Sequence, residues 1–180
     1  MKNYMPVVRM GKITLRDITS FDYLDYYDIG REFETTKYLN WGPFNNPNEA
    51  FWVIKEIFFQ RPINGLPVGY AITYDGKMIG MIDFHTYYSY DNSAEIGYIL
   101  HRDYQNRGIM TKCLREMVKL GFYHLDVDKI IVGHSSLNEA SKRVILKCGF
   151  KYETQKIVRL KDYDDIGLYY AIYRYEYEEE

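Results

Sequence analysis

Polar and apolar residues alternate along residues 12–16 (KITLR), the two-residue period of a half-buried strand. Ser20 is a cap for a short helix over residues 21–27 that stops near Gly30. After a loop at residues 39–43, Asn46, Pro47 and Glu49 spell a second helix start. They supply a capping side chain, a residue with no N–H to leave unpaired, and a carboxylate that reaches back. Phe51, Trp52, Ile54, Ile57 and Phe58 give that helix one apolar face, expected in the core. Residues 68–74 and 78–85 form a hairpin through Asp75-Gly76, a pair that tolerates positive φ. A strand follows at residues 94–101. Gln105 to Gly108 then open a long helix with Met110, Leu114, Met117, Val118 and Phe122 on one face. Residues 129–133 are nearly all apolar, as in a buried central strand. Asn138 starts another helix that ends at Cys148-Gly149, with strands expected at residues 150–160 and 167–177. The order predicts an α/β fold with an α+β mixed sheet, whose antiparallel front half feeds a central β-α-β unit.

Composition narrows the function classes. A chain of 180 residues fits one domain, residues 1–180, and 47% hydrophobic content excludes a disordered or low-complexity protein. No apolar run approaches a membrane span, and residues 1–11 lack a signal-peptide core, so a cytoplasmic location is expected. With 23 basic and 25 acidic residues, nothing asks for nucleic acid or a membrane as partner. Cys113 and Cys148 are too few for a disulfide scaffold or a zinc site of their own, and the scattered His101, His124 and His134 give no metal site. The 20 tyrosines suit a strand-rich fold. The acidic tail at residues 176–180 reads as a solvated end, and the Tyr-rich last strand as an edge that a second copy would pair with, giving a homodimer.

The chemistry concentrates in residues 94–150. Gln105-Asn106-Arg107-Gly108-Ile109-Met110-Thr111 follows a strand and opens a helix. Free N–H groups, the helix dipole and a glycine make such a turn an anion site. The stretch lacks the Lys-Ser/Thr of a nucleotide P-loop and the three-glycine spacing of a dinucleotide fingerprint, so an ordinary strand-to-helix turn fits these residues equally well.

The ordered set of motifs resembles the Gcn5-related N-acetyltransferase (GNAT) family, and more closely its RimJ/RimL-type branch, which acetylates ribosomal-protein N-termini. The residues that carry the resemblance are Glu95-Ile96-Gly97-Tyr98, Gln105 to Met110, Asn138-Glu139-Ala140-Ser141 and Gly149-Phe150. Ile13 to Asp17 and Tyr38 to Pro43 fit upstream. Met110 stands where the family usually has Gly or Ala, and Ile145 where many relatives carry a tyrosine acid.

The resemblance implies a central mixed, mostly antiparallel sheet of six to seven strands with about four helices. It also implies direct transfer of acetyl from acetyl-CoA to a primary amine, on a protein N-terminus or a small molecule. Ile99 and Leu100 would offer backbone to the pantetheine arm. Gln105, Asn106, Arg107, Gly108, Ile109, Met110 and Thr111 would hold the pyrophosphate, with Asn138 on the pantetheine and Arg143 on phosphate. Glu95 would be the base, and Ser141 or Tyr98 would protonate the thiolate. Trp41, Asp83 and His85 would line the amine pocket. Each has a plainer rival: Glu95 as an outward carboxylate, Asn138 as a helix cap, Asp83 and His85 as a solvated pair, Trp41 as a core residue. A non-catalytic acyl-CoA-binding module on the same fold is the alternative function.

Overall fold

The computed structural model describes residues 4–177. The strands are β1 (Val8–Met10), β2 (Ile13–Asp17), β3 (Tyr70–Tyr74), β4 (Lys77–Tyr88), β5 (Ser93–Leu100), β6 (Lys129–Ser135), β7 (Lys151–Leu160) and β8 (Tyr163–Tyr173). The helices are α1 (Tyr23–Gly30), α2 (Phe33–Thr36), α3 (Pro47–Val53), α4 (Ile109–Tyr123), α5 (Glu139–Lys147) and α6 (Arg174–Tyr177). All strands join one sheet in the order β1-β2-β3-β4-β5-β6-β8-β7. Neighbours are antiparallel except β5 and β6, the parallel pair that α4 connects. One face of the sheet packs on α4 and α5 through Phe84, Ile96, Leu114, Phe122 and Ile145. The other packs on α1 and α3 through Tyr26, Ile29, Ile54, Met81 and Ile99.

Where the local signals are strong, the elements form as the sequence predicts. Asn46 caps α3 by accepting from Asn48 N, while Glu49 accepts from Asn45 N and Asn46 Nδ2. Asp75 and Gly76 carry the β3–β4 turn at φ 48 and 88°. The apolar face expected on α4 is buried in full. Gly149 ends the α5 segment at φ 86°.

Four expectations need correction. The sheet has eight strands rather than six or seven, because Val8–Met10 adds an outer strand paired to β2. The last strand is not an edge: β8 lies between β6 and β7, and its Tyr170, Ala171 and Ile172 are buried. The β6-α5-β7 crossover skips one strand position, and the β7–β8 hairpin folds back to fill it. Strand β8 also starts earlier, and Arg174–Tyr177 is helical. Finally, Trp52 is 62% and Ile57 50% exposed. Ile54 and Phe58 face the core as expected, joined by Ala50; Trp52 stands on the opposite side of the helix, and Ile57 lies in a π turn at Ile54–Phe58, where Phe59 N bonds to Ile54 O. Of the acidic tail, residues 178–180 lie outside the described residues, and Glu176 accepts from Lys151 Nζ at 2.7 Å. No helix among the described residues is long and apolar enough to cross a membrane.

Asp22 ties β2 to α1. Its buried carboxylate accepts from Arg16 Nη1 and Nη2 at 2.8 and 2.7 Å, and from Thr19 N and Oγ1 at 2.8 and 2.9 Å. Burial works against the charge, but the bonds from Arg16 and Thr19 overcome it and hold the carboxyl below its ordinary range. A depressed carboxyl contributes stability above its unfolded pKa of about 3.9 and loses that contribution as pH falls through its folded value. Asp22→Ala is therefore expected to cost about 2–3 kcal/mol at neutral pH, less than a fully buried pair because Arg16 is partly exposed. In urea titrations the gap between variant and wild type should shrink below about pH 4.

Candidate active site

The site begins where β5 and β6 part. Their parallel pairing runs from Ser93↔Lys129 to Ile96↔Val132 and then stops. On its other side β5 stays bonded to β4, with His101 N donating to Ile79 O at 2.8 Å. Antiparallel alternation then points the backbone of Gly97 and Ile99 toward β4, and that of Tyr98 and Leu100 into the split. The backbone groups facing the split therefore belong to Tyr98 and Leu100 rather than to Ile99. Gln105 Nε2 donates to Leu100 O at 3.0 Å, so its side chain braces the strand end.

A cleft of about 710 Å³ opens from this split. Its floor is Tyr98, Ile99 and Leu100, one wall is the turn from Gln105 to Thr111, and the other is α5 from Asn138 to Lys147. The turn bends through positive φ at Asn106 (59°) and Gly108 (73°), which caps α4. Nothing within 4 Å would meet a Cβ at Gly108, and Gly108 to Thr111 line the cleft, so the first turn of α4 borders its open space. Met110 turns its side chain into the core and is buried. A bulky residue at this position therefore leaves the turn clear. Lys37, Arg102, Arg143 and Lys147 line the mouth, Lys37 paired with Glu34 and Arg102 with Glu32. Open helix N–H groups, cations and free strand backbone suit a long phosphorylated molecule with an amide arm.

Two hydroxyls meet above the split. Tyr98 Oη lies 2.7 Å from Ser141 Oγ, in the first turn of α5. Asn138 caps that helix by accepting from Ser141 N at 3.1 Å, and it also lines the cleft. Burial pushes the Tyr98 phenol well above its ordinary range, so it stays protonated and can offer a hydrogen bond. Ile145, which replaces the acid of many relatives, is fully buried in the core.

The other sheet face carries carboxylate chemistry. Glu95 accepts from the Tyr88 hydroxyl at 3.0 Å, and its Oε1 lies 3.7 Å from His85 Nε2. Burial and the neighbouring Glu95 push the Tyr88 phenol up to about 12. Asp83, buried, is ion-paired with Arg61 from the segment between α3 and β3. A β-bulge after Phe84 places both Asp83 and His85 over Gly97, where a Cβ would lie 2.9 Å from His85 Cδ2 and 3.4 Å from Asp83 Oδ1. Glu95 and Tyr98 project from opposite faces of β5, and Tyr98 alone of the two lines the cleft.

Two of the residues singled out in the sequence lie elsewhere. Trp41 stacks on Phe44 with ring centres 5.1 Å apart and leans on Tyr26, so it packs the loop against α1 rather than lining the cleft. The Arg107 guanidinium rests over Tyr104 at 5.3 Å and lines a neighbouring charged recess. Conversely, Lys147, Arg102 and Lys37 escaped sequence reasoning, while Arg61 and Tyr88 lie in segments (residues 61–67 and 87–93) that the sequence marks as loops able to choose the acceptor, without a role for either residue. Lys147 was findable, since it follows Arg143 by one helical turn.

The chain matches the family model of the acetyltransferase (GNAT) domain over residues 12–151. The ribosomal-protein-serine acetyltransferase of Escherichia coli is 30% identical over 137 residues, 74% of this chain and 76% of that protein. The Bacillus subtilis protein YdaF is 31% identical over 91 residues, 51% of this chain and 49% of that protein, so the match spans about half of each. Among solved structures, RimL, a ribosomal L7/L12 alpha-N-protein acetyltransferase in complex with coenzyme A, superposes with a TM-score of 0.82 at 19% identity, covering 93% of this chain and 98% of that one.

Proposed function

The chain belongs to the acetyltransferase (GNAT) family, and from that premise we propose that it transfers acetyl from acetyl-CoA directly to a primary amine, on a protein N-terminus or a small molecule. The observation that carries the reading is the split between β5 and β6, with the backbone of Tyr98 and Leu100 turned into it, the Leu100 carbonyl also accepting from Gln105 Nε2, and the N-terminus of α4 at its end.

Each group has a part. The N–H groups of the turn and first residues of α4 bind the pyrophosphate, with Arg143 and Lys147 nearby. The backbone of Tyr98 and Leu100 pairs with the pantetheine amides. A strand N–H polarises the thioester carbonyl, an effect worth a few kcal/mol per donor. A lysine-type ammonium has a pKa near 10.4 and an α-ammonium about 7.7–8.0, so the amine must lose a proton before it can attack. The Glu95 face supplies the base. The Tyr98–Ser141 pair returns a proton to the departing thiolate.

Release of free thiol from acetyl-CoA should rise on adding an amine from a panel of short peptides, polyamines and amino acids. No release with any of them, at saturating acetyl-CoA, would contradict the reading. Ser141→Ala is expected to lower kcat about tenfold, with acetyl-CoA affinity nearly unchanged, because the Tyr98 hydroxyl remains.

A further inference from the structure

We propose that the group taking the proton from the acceptor ammonium is His85 Nε2, with Glu95 balancing the imidazolium charge that results. The inference rests on the acetyl-transfer reading and names the atom on which its first step falls.

His85 sits at the strand split, on the Glu95 face of the sheet. Its ring covers Gly97, immediately before Tyr98, where β5 and β6 diverge. Thr86 Oγ1 lies 2.8 Å from Nδ1. In the tautomer whose Nδ1–H donates to Thr86 Oγ1, the one the proposal requires, the Nε2 lone pair is free. Nε2 then faces Glu95 Oε1 across 3.7 Å, longer than a hydrogen bond. Two acceptors with no proton between them suit an N–H donor, and an ammonium provides one. Tyr88 holds the second oxygen of Glu95 in place.

The surroundings set the protonation state. The charged and titratable groups facing His85 are Glu95 on β5, Arg61 from the segment before β3, and Asp83 on its own strand. Partial desolvation lowers the imidazole pKa below 6.5 although 34% of the side chain stays exposed; Glu95 opposes that shift and Arg61 adds to it. Asp83 is matched by Arg61. A neutral imidazole at physiological pH is a better matched proton acceptor than an ordinary carboxylate. One ammonium proton passes to Nε2 and on to water. The freed nitrogen bonds to the thioester carbon as the C=O π bond opens. The C–S bond then breaks, the thiolate takes a proton from the Tyr98–Ser141 pair, and that pair recovers one from the nitrogen through water. One proton is released overall.

The test uses the full chain and an amine for which wild type releases thiol. In kcat–pH profiles, wild type should lose activity as pH falls through a value below about 6.5. His85→Gln should lower kcat at least about 100-fold and remove that limb, with acetyl-CoA affinity unchanged. Gly97→Ala, which pushes the ring aside, should lower kcat about tenfold. His85→Gln within about threefold of wild type, with the same limb, would overturn the assignment in favour of Glu95 acting alone. A second arm needs no turnover. The imidazole NMR resonance missing from His85→Gln should titrate at lower pH in Glu95→Gln than in wild type, and an unchanged titration would overturn the pairing. If wild type binds acetyl-CoA yet releases thiol with no amine, the acetyl-transfer reading fails and the proton-transfer role falls with it. The NMR arm still decides whether His85 and Glu95 are coupled.

Discussion

Glu95→Gln is expected to lower kcat at least about 100-fold while leaving acetyl-CoA affinity within about twofold. The amide keeps the shape and can still accept from Tyr88, which lies 3.0 Å from the carboxylate in the wild type. What it removes is the negative charge 3.7 Å from His85 Nε2, the charge that makes proton uptake on this face favourable. The cofactor cleft is lined by the other side of β5, the α4 turn and α5, so binding there should not feel the change. Steady-state thiol release and a separate equilibrium titration read the two quantities. Full activity in the variant would leave the carboxylate with a structural role. Equal binding and no turnover in wild type would favour an acyl-CoA-binding module.

Gly108→Asp is expected to weaken acetyl-CoA binding at least about 100-fold. Gly108 caps α4 in the left-handed region at φ 73°, and a side chain there projects into open space beside the first N–H groups of the helix. Two unit charges about 4 Å apart near a protein surface interact by about 4 kcal/mol, which corresponds to a loss of roughly 100- to 1,000-fold against a pyrophosphate. The fold should tolerate the change. Asp accepts the left-handed conformation better than most residues, and a negative charge at a helix N-terminus contributes about 0.3–1 kcal/mol. Thermal unfolding within a few degrees of wild type, beside lost binding in calorimetry, is the expected pair of results. Unchanged binding would place the phosphates elsewhere.

The middle of the chain was legible because its signals are local. The α4 face, the Asn138 cap and the Gly149 stop each lie within a few residues, and the parallel β5–β6 pair follows from the helix between them. The outer sheet was not legible, because its order depends on partners far apart in sequence. Strand β7 passes over a position that β8 fills only after the hairpin turns back. Strand β1 has three residues, too short to show a period. Trp52 misled because its apolar character suggested a core position, although it stands two residues from both Ala50 and Ile54 and so on the opposite side of the helix.

The site divides in the same way. The turn from Gln105 to Thr111 and the Asn138–Ser141 cap carry motifs, and they converge on one cleft. Asp83 and His85 share a face by simple alternation, and the bulge preserves it. Arg61 lies 22 positions before Asp83, and no local signal announces their pairing. The Tyr98–Ser141 contact joins residues 43 positions apart, and only the strand split and the helix cap together bring it about. Both residues were candidates for the same proton; their pairing makes them one donor unit.

The most direct test of the central claim is an equilibrium titration of the purified protein with acetyl-CoA, with ATP and NADH in parallel. Micromolar binding of acetyl-CoA, at least about tenfold tighter than either nucleotide, is the expected result, because the split between β5 and β6 offers backbone partners to a pantetheine arm that neither nucleotide possesses. No binding of acetyl-CoA, or ATP binding as tightly, would contradict the account of the cleft and of every residue placed in it.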